Sequence, residues 1–139
     1  MITKCIKKKL SKNDTGETGS HQAGIAVPKD IKILSFFPDL DSTELNPRIM
    51  INLADSFGNN WNFTFVYYNN KFFGGTRNEY RLTSTTGFIR KYNLESGDEI
   101  TFKRDENNYY SIDFIRKNDH STSSEDFLVI GTSWRTVRI

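Results

Sequence analysis

The chain has 139 residues, 14% of them aromatic and only three of them proline, which supports one folded domain and argues against disorder. Its single cysteine, Cys5, excludes an internal disulfide, and no apolar run approaches the ~18 residues of a membrane-spanning helix. We therefore expect one domain over residues 1–139 that has no membrane partner and lies in the reducing cytoplasm.

The net charge is only +2, but the charges are unevenly distributed along the chain. Residues 1–12 contain five lysines and no acid, and residues 71–91 contain five cations and one acid, so the remaining residues are net acidic. A molecule with one positive side attracts phosphate chains. A single basic tail is often only a solvated chain end, but two basic segments favour a nucleic-acid partner.

The first predicted element is an edge strand over residues 4–10, whose lysines would discourage pairing with other chains. Residues 11–22 are rich in Gly, Ser, Thr, Asn and Asp, so they predict a surface loop or arm. After a short buried strand at 24–27, Asp30 is a suitable N-cap for a helix that ends before Pro38. The predicted buried face of this helix consists of Ile31, Leu34 and Phe37.

Alternating apolar and polar residues then predict a series of short strands. These strands span residues 48–53, 61–68, 99–103, 109–116, 127–130 and 134–139. In the first of them Ile49, Ile51 and Leu53 are expected to face inward. Within 61–68 one face is aromatic and is expected to form core; it consists of Trp61, Phe63, Phe65 and Tyr67. Residues 87–93 predict a second short helix and residues 118–126 a polar loop, so the pattern indicates a mainly β barrel or sandwich.

Residues 72–82 differ from the other segments because they combine a flexible bend with an ionic face. Two glycines near their start allow a sharp turn, and the residues that follow are predicted to be extended. Since side chains alternate along a strand, Arg77, Glu79 and Arg81 share one face. Arginine donates bidentately to guanine and a carboxylate accepts from the amino group of cytosine, which suits the major groove. A surface salt-bridge ladder explains the same spacing, so both interpretations remain open.

The polar segment 11–22 contains side chains that suit phosphates and base edges. They are Lys12, Asn13, Ser20, His21 and Gln22. An ordinary flexible loop explains the same composition, and the segment alone does not decide between the two.

No catalytic motif of the GxSxG, HExxH, CxxC or P-loop type occurs in the chain. Two histidines about a hundred residues apart and one cysteine do not make a zinc site. The only acid–x–lysine triplet, residues 30–32, precedes its partner acid Asp39, which reverses the usual order in magnesium-dependent nucleases. We predict no catalytic residue, metal site or cofactor, with a small magnesium-dependent nuclease as the alternative.

Three segments resemble the N-terminal effector domain of EcoRII-type restriction endonucleases. They are residues 8–29 (KKLSKNDTGETGSHQAGIAVPK), 44–47 (ELNP) and 67–83 (YYNNKFFGGTRNEYRLT). Residues 87–104 (GFIRKYNLESGDEITFKR) are similar to the Gly-Asp region of the plant B-three DNA-binding pseudobarrel. The resemblance implies a mainly β, seven-stranded open barrel with two short helices. Such a barrel grips the major groove with an N-arm, residues 9–25, and a C-arm, residues 71–83.

The resemblance also implies two groups of DNA-contacting residues. The base-reading group is Arg77, Asn78, Glu79, Tyr80, Arg81 and His21. The group that holds the arms or contacts the DNA backbone is Lys9, Ser11, Lys12, Asn13, Asp14, Thr15, Ser20, Gln22, Lys71 and Thr76. Three positions depart from the family pattern: Gly75 and Tyr80 replace expected basic residues, and Ala26 replaces an expected tyrosine.

The implied function is recognition of double-stranded DNA for a bacterial type II (IIE-like) restriction endonuclease. Its nuclease domain, with the magnesium, is expected outside this chain. The expected site is CC(A/T)GG, and the departures leave another C/G-rich site such as GC(C/G)GC as the alternative. The domain is expected to bind as a monomer. Binding of protein or single-stranded nucleic acid through exposed aromatic strands is a third possibility.

Overall fold

The computed structural model describes residues 1–18, 24–119, 126–130 and 133–138. Within these residues nine strands form one sheet. The strands are β1 (Ile2–Lys9), β2 (Ile25–Val27), β3 (Arg48–Ala54), β4 (Asn60–Tyr68), β5 (Glu79–Thr83), β6 (Glu99–Asp105), β7 (Tyr110–Ile115), β8 (Asp126–Ile130) and β9 (Trp134–Val137). The α-helices are α1 (Lys12–Thr15), α2 (Ile31–Leu34) and α3 (Thr86–Lys91), and 3-10 turns span Asn70–Phe73 and Lys117–Asp119. No helix of the described part of the chain is long and apolar enough to cross a membrane.

The strand order in the sheet is β2-β5-β4-β3-β7-β6-β1-β9-β8. Neighbouring strands are antiparallel except β3 and β7, which pair in parallel only at Leu53 with Tyr110 and Ala54 with Ser111. The sheet curls until its ends approach, since the Trp134 indole on β9 donates a hydrogen bond of 2.9 Å to the Ala26 carbonyl on β2. The predicted mainly β open barrel is confirmed. Among the described residues it has nine strands and three short α-helices, where seven strands and two short helices were expected.

The interior of the curled sheet is filled mainly by aromatic rings. Phe63 and Phe65 from β4 are 0% and 2% exposed and form core as predicted, whereas Trp61 and Tyr67 on the same face are only half-buried. Phe65 stacks on Phe37 with ring centroids 4.5 Å apart, and Trp134 stacks on Phe102 at 5.8 Å. Burying each large apolar side chain contributes roughly 1.5–3 kcal/mol, so this cluster dominates the stability of the barrel.

The turn between β3 and β4 is organised by the Asp55 carboxylate. It accepts hydrogen bonds from the Phe57 and Asn59 N–H groups, both at 2.9 Å, from the Trp61 indole at 2.9 Å, and from the Tyr92 hydroxyl. Burial raises the pKa of Asp55, but these four hydrogen bonds together lower it well below the ordinary range. Asp55 is therefore a structural anion that joins the turn to α3.

The first strand is not at an edge as predicted, because β6 and β9 pair with its two sides. Two of its lysines consequently turn toward the protein. Lys4 donates to the Ser35 carbonyl at 2.8 Å, and burial together with the charge of Arg104 lowers its pKa. Lys8 is 5% exposed, so at least one charge of the basic N-terminal segment is unavailable to a partner.

Two predicted inward faces are also corrected. Ile49 is 41% exposed because β7 covers β3 only at its last two residues, whereas Ile51 and Leu53 are buried as expected. The Asp30 cap is present and accepts from the Lys32 N–H at 2.8 Å. However, α2 is a single turn of four residues, so the buried face cannot be predicted from apolar residues spaced three apart along a longer helix. Ile33 is the buried residue of α2, and Ile31 is 72% exposed. Of the other two predicted residues, Phe37 is buried as expected and Leu34 is half-buried.

The two predicted polar loops are only partly described. Residues 11–22 were expected to lack regular structure, but they include the four residues of α1. The predicted loop at 118–126 begins within the 3-10 turn Lys117–Asp119, and its residues 120–125 lie outside the described part of the chain. The last strand ends at Val137 rather than at the predicted residue 139.

Candidate nucleic-acid interface

The tip of the predicted C-arm is a closed turn held by its own polar groups. The Asn70 side-chain oxygen accepts from the Arg77 N–H at 2.6 Å, and the Asn70 carbonyl accepts from the Gly75 N–H at 2.7 Å. The Lys71 N–H donates to the Arg77 carbonyl at 2.9 Å. These three hydrogen bonds fix both ends of the turn, so the start of the extended segment has a defined direction.

The structure explains why glycine occupies both positions 74 and 75 at this tip. Gly74 ends the 3-10 turn with a φ of 92°, in the left-handed region that side chains disfavour. A Cβ on Gly75 would lie 2.7 Å from the Asn70 side chain, so any other residue there displaces the group that fixes Arg77. The departure of Gly75 from the family pattern is therefore coupled to the Asn70 contact.

The base of the C-arm is anchored by Asn69, which is 0% exposed. Its amide nitrogen donates to the carbonyls of Ser42 at 3.3 Å and Glu44 at 2.8 Å. Its side-chain oxygen accepts from the Asn46 N–H at 2.7 Å, and its own N–H donates to the Asn46 side chain at 3.1 Å. A buried amide with all of these partners stabilises one arrangement of the arm relative to residues 42–46.

Arg77, Glu79 and Arg81 lie together on one face of the arm, as their spacing predicts. One Glu79 oxygen, Oε1, accepts from Arg77 Nε at 3.0 Å and from Arg81 Nε at 3.4 Å, and it also contacts Arg77 Nη2. The Arg77 hydrogen bond, and then the charges of both arginines, lower the pKa of Glu79 against the effect of burial. At neutral pH Glu79 is therefore an acceptor between two donors.

The three side chains differ in accessibility. Arg77 and Glu79 are 40% and 39% exposed, whereas Arg81 is 18% exposed and its Nη1 donates to the Gly24 carbonyl at 3.3 Å. Ion pairs of this exposure contribute about 0–1 kcal/mol. The salt-bridge ladder is thus present, but it is a weak stabiliser, and the side chains of Arg77 and Glu79 remain accessible.

Tyr68 is a member of this face that the sequence prediction missed. The Arg77 guanidinium carbon lies 3.7 Å from the centre of the Tyr68 ring, a cation–π contact that limits the directions in which the guanidinium points. The pattern of β4 contains the signal, because Tyr68 alternates with the core-side residue Tyr67 and is paired with Glu79 in the sheet. Arg77 is consequently held between a carboxylate and an aromatic ring.

Asn78 and Tyr80, both predicted to read bases, lie on the other face of the arm. The Asn78 side-chain oxygen accepts from the Tyr67 hydroxyl at 2.6 Å. The Tyr80 ring stacks on Tyr67 at 4.2 Å and on Phe65 at 5.7 Å, and burial, followed by the charge of Tyr67, raises its pKa. The structure therefore separates these two residues from the ionic face.

The described part of the N-arm contains α1, which is connected to β1 by an ion pair. Ser11 caps the helix by accepting from the Asp14 N–H at 3.2 Å, and Asp14 accepts from the Ser11 N–H at 2.9 Å. Asp14 also pairs with Lys8 at 3.0 Å, and both of these side chains are only 7% exposed. Asp14 thus holds the arm, and its burial removes it from the surface that phosphates reach.

The other residues predicted to contact the DNA backbone are distributed over both arms. Thr15 donates to the Lys12 carbonyl at 3.2 Å and is partly buried. Exposed positions are Lys9, Ser11, Lys12, Asn13, Lys71 and Thr76. Ser20 and Gln22, together with the predicted base-reading residue His21, lie outside the described part of the chain.

The two arms are connected through the sheet. β2, which contains the last residue of the predicted N-arm, pairs with β5 of the C-arm, and Ala26 is the sheet partner of Arg81. Ala26 is exposed, so the family departure at this position lies beside the ionic face. Across the described residues, no three His, Cys, Asp or Glu side chains cluster as a metal site would require.

Comparison with known proteins agrees with this architecture. The structure of an Arabidopsis FUS3–DNA complex matches with a TM-score of 0.61 and 26% identity, over 79% of this chain and 94% of that one. The type II restriction enzyme EcoRII of Escherichia coli is 42% identical over 79 residues, which is 55% of this chain and 19% of that enzyme. The chain thus spans about a fifth of the curated relative that it matches. The family model "Restriction endonuclease EcoRII, N-terminal" matches residues 2–95, and the chain belongs to this family.

Proposed function

We propose that this chain is the effector domain of a type II restriction endonuclease and binds double-stranded DNA sequence-specifically through its two arms. The observation that carries the proposal is the fixed set of donors and acceptors formed on the C-arm by Arg77, Glu79 and Arg81, of which Arg77 and Glu79 are accessible. Membership in the EcoRII N-terminal family supports the same function, as does the likeness to a fold solved together with DNA.

The chemistry of the C-arm face suits C·G base pairs in the major groove. A guanidinium presents two parallel donors to the O6 and N7 atoms of guanine, and a carboxylate accepts from the N4 amino group of cytosine. In the free protein Arg77 and Glu79 satisfy each other, and a C·G pair offers each of them a replacement partner. Because Asn70 and Tyr68 already restrict Arg77, little side-chain entropy remains to be lost on binding.

The target that follows from the family resemblance is CC(A/T)GG. The departures from the family pattern, among them the exposed Ala26 beside Arg81, leave another C/G-rich site such as GC(C/G)GC as the alternative. We further propose that this domain binds its DNA site as a monomer and that this binding regulates a nuclease domain of the same enzyme. That nuclease domain holds the magnesium. A nuclease activity of the chain itself is the weaker alternative, tested by incubating it with plasmid and Mg²⁺.

A gel-shift titration at near-physiological salt tests the proposed function. It compares duplexes that contain CC(A/T)GG, GC(C/G)GC or a scrambled site. Preference for CC(A/T)GG supports the full proposal, and preference for GC(C/G)GC keeps the function and changes the target. Equal weak binding to all three duplexes contradicts sequence-specific recognition, because phosphate contacts alone do not distinguish sequences.

Lys12 is expected to contact phosphate, because it is exposed on α1 and no acid of α1 pairs with it. Replacing Lys12 with alanine should weaken binding to specific and scrambled duplexes equally and lower the salt slope of log K by about one. The slope is measured by titration at several salt concentrations. The matched control is Lys32→Ala, which removes an exposed lysine from α2. An unchanged slope for Lys12→Ala would show that Lys12 does not contact phosphate.

Tyr68 is expected to position Arg77 without contacting DNA itself. Tyr68→Leu should reduce the ratio of specific to scrambled affinity by roughly twofold to thirtyfold, since a cation–π contact is worth about 0.5–2 kcal/mol. Tyr68→Phe keeps the ring and should retain most of the ratio. Both variants are compared by competition gel shift and thermal unfolding. An equal loss of specificity in the two variants would instead indicate a role for the hydroxyl.

A further inference from the structure

The 3-10 turn at the C-arm tip presents two large apolar rings to solvent. Phe72 is 66% exposed and Phe73 is 49% exposed, and neither belongs to the hydrophobic core. Their neighbour Lys71 is exposed as well. Single exposed apolar side chains are common, but two adjacent phenylalanines on a protruding turn form a concentrated apolar surface.

The turn that presents these rings is rigidly joined to the ionic face. The Lys71 N–H donates to the Arg77 carbonyl at 2.9 Å, and the Asn70 side chain accepts from the Arg77 N–H at 2.6 Å. Residues bonded across a hairpin have Cα atoms about 5.5 Å apart, and stacked bases are about 3.4 Å apart. Phe72 and Phe73 therefore lie within a few base steps of any base that Arg77 contacts.

The major groove offers one apolar group to a protein, the C5 methyl group of thymine. A phenyl ring has no donor for phosphate, and wedge insertion between base steps is typical of the minor groove. An arm that enters the major groove with two rings at its tip is thus chemically matched to thymine methyl groups.

We propose that Phe72 and Phe73 recognise thymine by its C5 methyl group at positions beside the base pairs read by Arg77. This inference rests on the proposed function and adds an apolar component to the polar reading by the ionic face. It makes the two rings specificity-determining residues for the base pairs within or next to the C/G-rich site.

Replacement of thymine by uracil tests the inference, because it removes the methyl group and keeps every hydrogen-bonding group of the base. The test uses variants of the duplex that the gel-shift titration shows to be preferred. Each variant has thymine at one position, which is either an A/T position of the site or one of three flanking positions, and both strands are tested. Each thymine is then changed to uracil. Affinities are measured for the unaltered chain, Phe72→Ala and Phe73→Ala. Met50→Ala removes a similarly exposed apolar side chain from β3 and is the matched control.

We expect at least one uracil substitution to weaken binding of the unaltered chain by about threefold to fivefold, the effect of removing one buried methyl group. The same substitution should have no effect on one of the two phenylalanine variants and its full effect on Met50→Ala. Because both rings are exposed, thermal unfolding should show that the alanine variants remain folded.

Two outcomes would overturn the inference while leaving the proposed function intact. In one, no uracil substitution weakens binding to a duplex that is still preferred over the scrambled one. In the other, the phenylalanine variants respond to uracil as the unaltered chain does. Equal binding of the unaltered chain to all duplexes is a distinct result, which refutes the proposed function and the inference with it.

Discussion

Replacing Arg77 with alanine is expected to weaken binding to the preferred duplex by about fivefold to 150-fold, which corresponds to 1–3 kcal/mol for one bidentate contact. Binding to a scrambled duplex should change by less than about twofold. The reason is that Arg77 is 40% exposed and fixed by Asn70, Glu79 and Tyr68, so it presents a preorganised fork to a base. Competition gel shifts with both duplexes measure the two effects together.

Two further variants separate base reading from charge at this position. Arg77→Lys keeps the charge and loses the planar fork, so it should behave like Arg77→Ala on the preferred duplex. Arg90→Ala removes an exposed arginine of α3 and should leave the specificity unchanged. A loss that is equal on preferred and scrambled duplexes would mean that Arg77 contacts phosphate and does not read a base.

Arg81→Ala should have a compound effect, since Arg81 also donates to the Gly24 carbonyl at 3.3 Å. Its removal weakens the connection between β5 and the end of the N-arm as well as the ionic face. Arg77 is therefore the cleaner probe of base reading on this arm.

Replacing Asp14 with alanine is expected to lower the free energy of unfolding by about 3–5 kcal/mol, because it leaves the Lys8 ammonium buried without its partner. Both side chains are only 7% exposed, and their separation is 3.0 Å. The same change removes the hydrogen bond from the Ser11 N–H to the Asp14 carboxylate, one half of the capping box of α1, which contributes a further part of the loss. A domain of this size has about 5–15 kcal/mol of stability, so a large share disappears. Urea denaturation monitored by tryptophan fluorescence measures it.

The control variants distinguish a buried ion pair from a general charge effect. Asp39→Ala removes an exposed acid and should change stability by less than about 0.5 kcal/mol. The double variant Lys8→Met with Asp14→Leu removes both charges and should recover part of the loss, since apolar pairs often replace buried ion pairs. A loss below about 1 kcal/mol for Asp14→Ala would contradict the burial of this pair.

The ionic face of the C-arm was predictable because it depends on local chain geometry. An extended segment places alternate side chains on one side, and Arg77, Glu79 and Arg81 do meet there. The same alternation places Asn78 and Tyr80 on the opposite side, where they contact Tyr67. Alternation along a strand does not predict which side faces the core. The family resemblance implied DNA contacts for residues on both sides, so Asn78 and Tyr80 were grouped with the ionic face.

Contacts between distant residues were the part that the sequence left open. Tyr68 approaches Arg77 because β4 and β5 pair in one particular register, and Lys8 is buried because Asp14 folds back onto it. Ile49 is exposed because β7 pairs with only the end of β3. Each of these outcomes depends on which strands become neighbours.

The sequence by itself determined the mainly β class, the position of the turns and the composition of the ionic face. These features follow from residue types and from spacing along the chain, which act over a few residues. Only the tertiary structure decided that β1 is internal, which lysines are buried, and that Lys71, the chain neighbour of the exposed phenylalanines, is hydrogen-bonded to Arg77. Those features depend on closing loops between distant segments, and the free energy of that closure is a property of the whole fold.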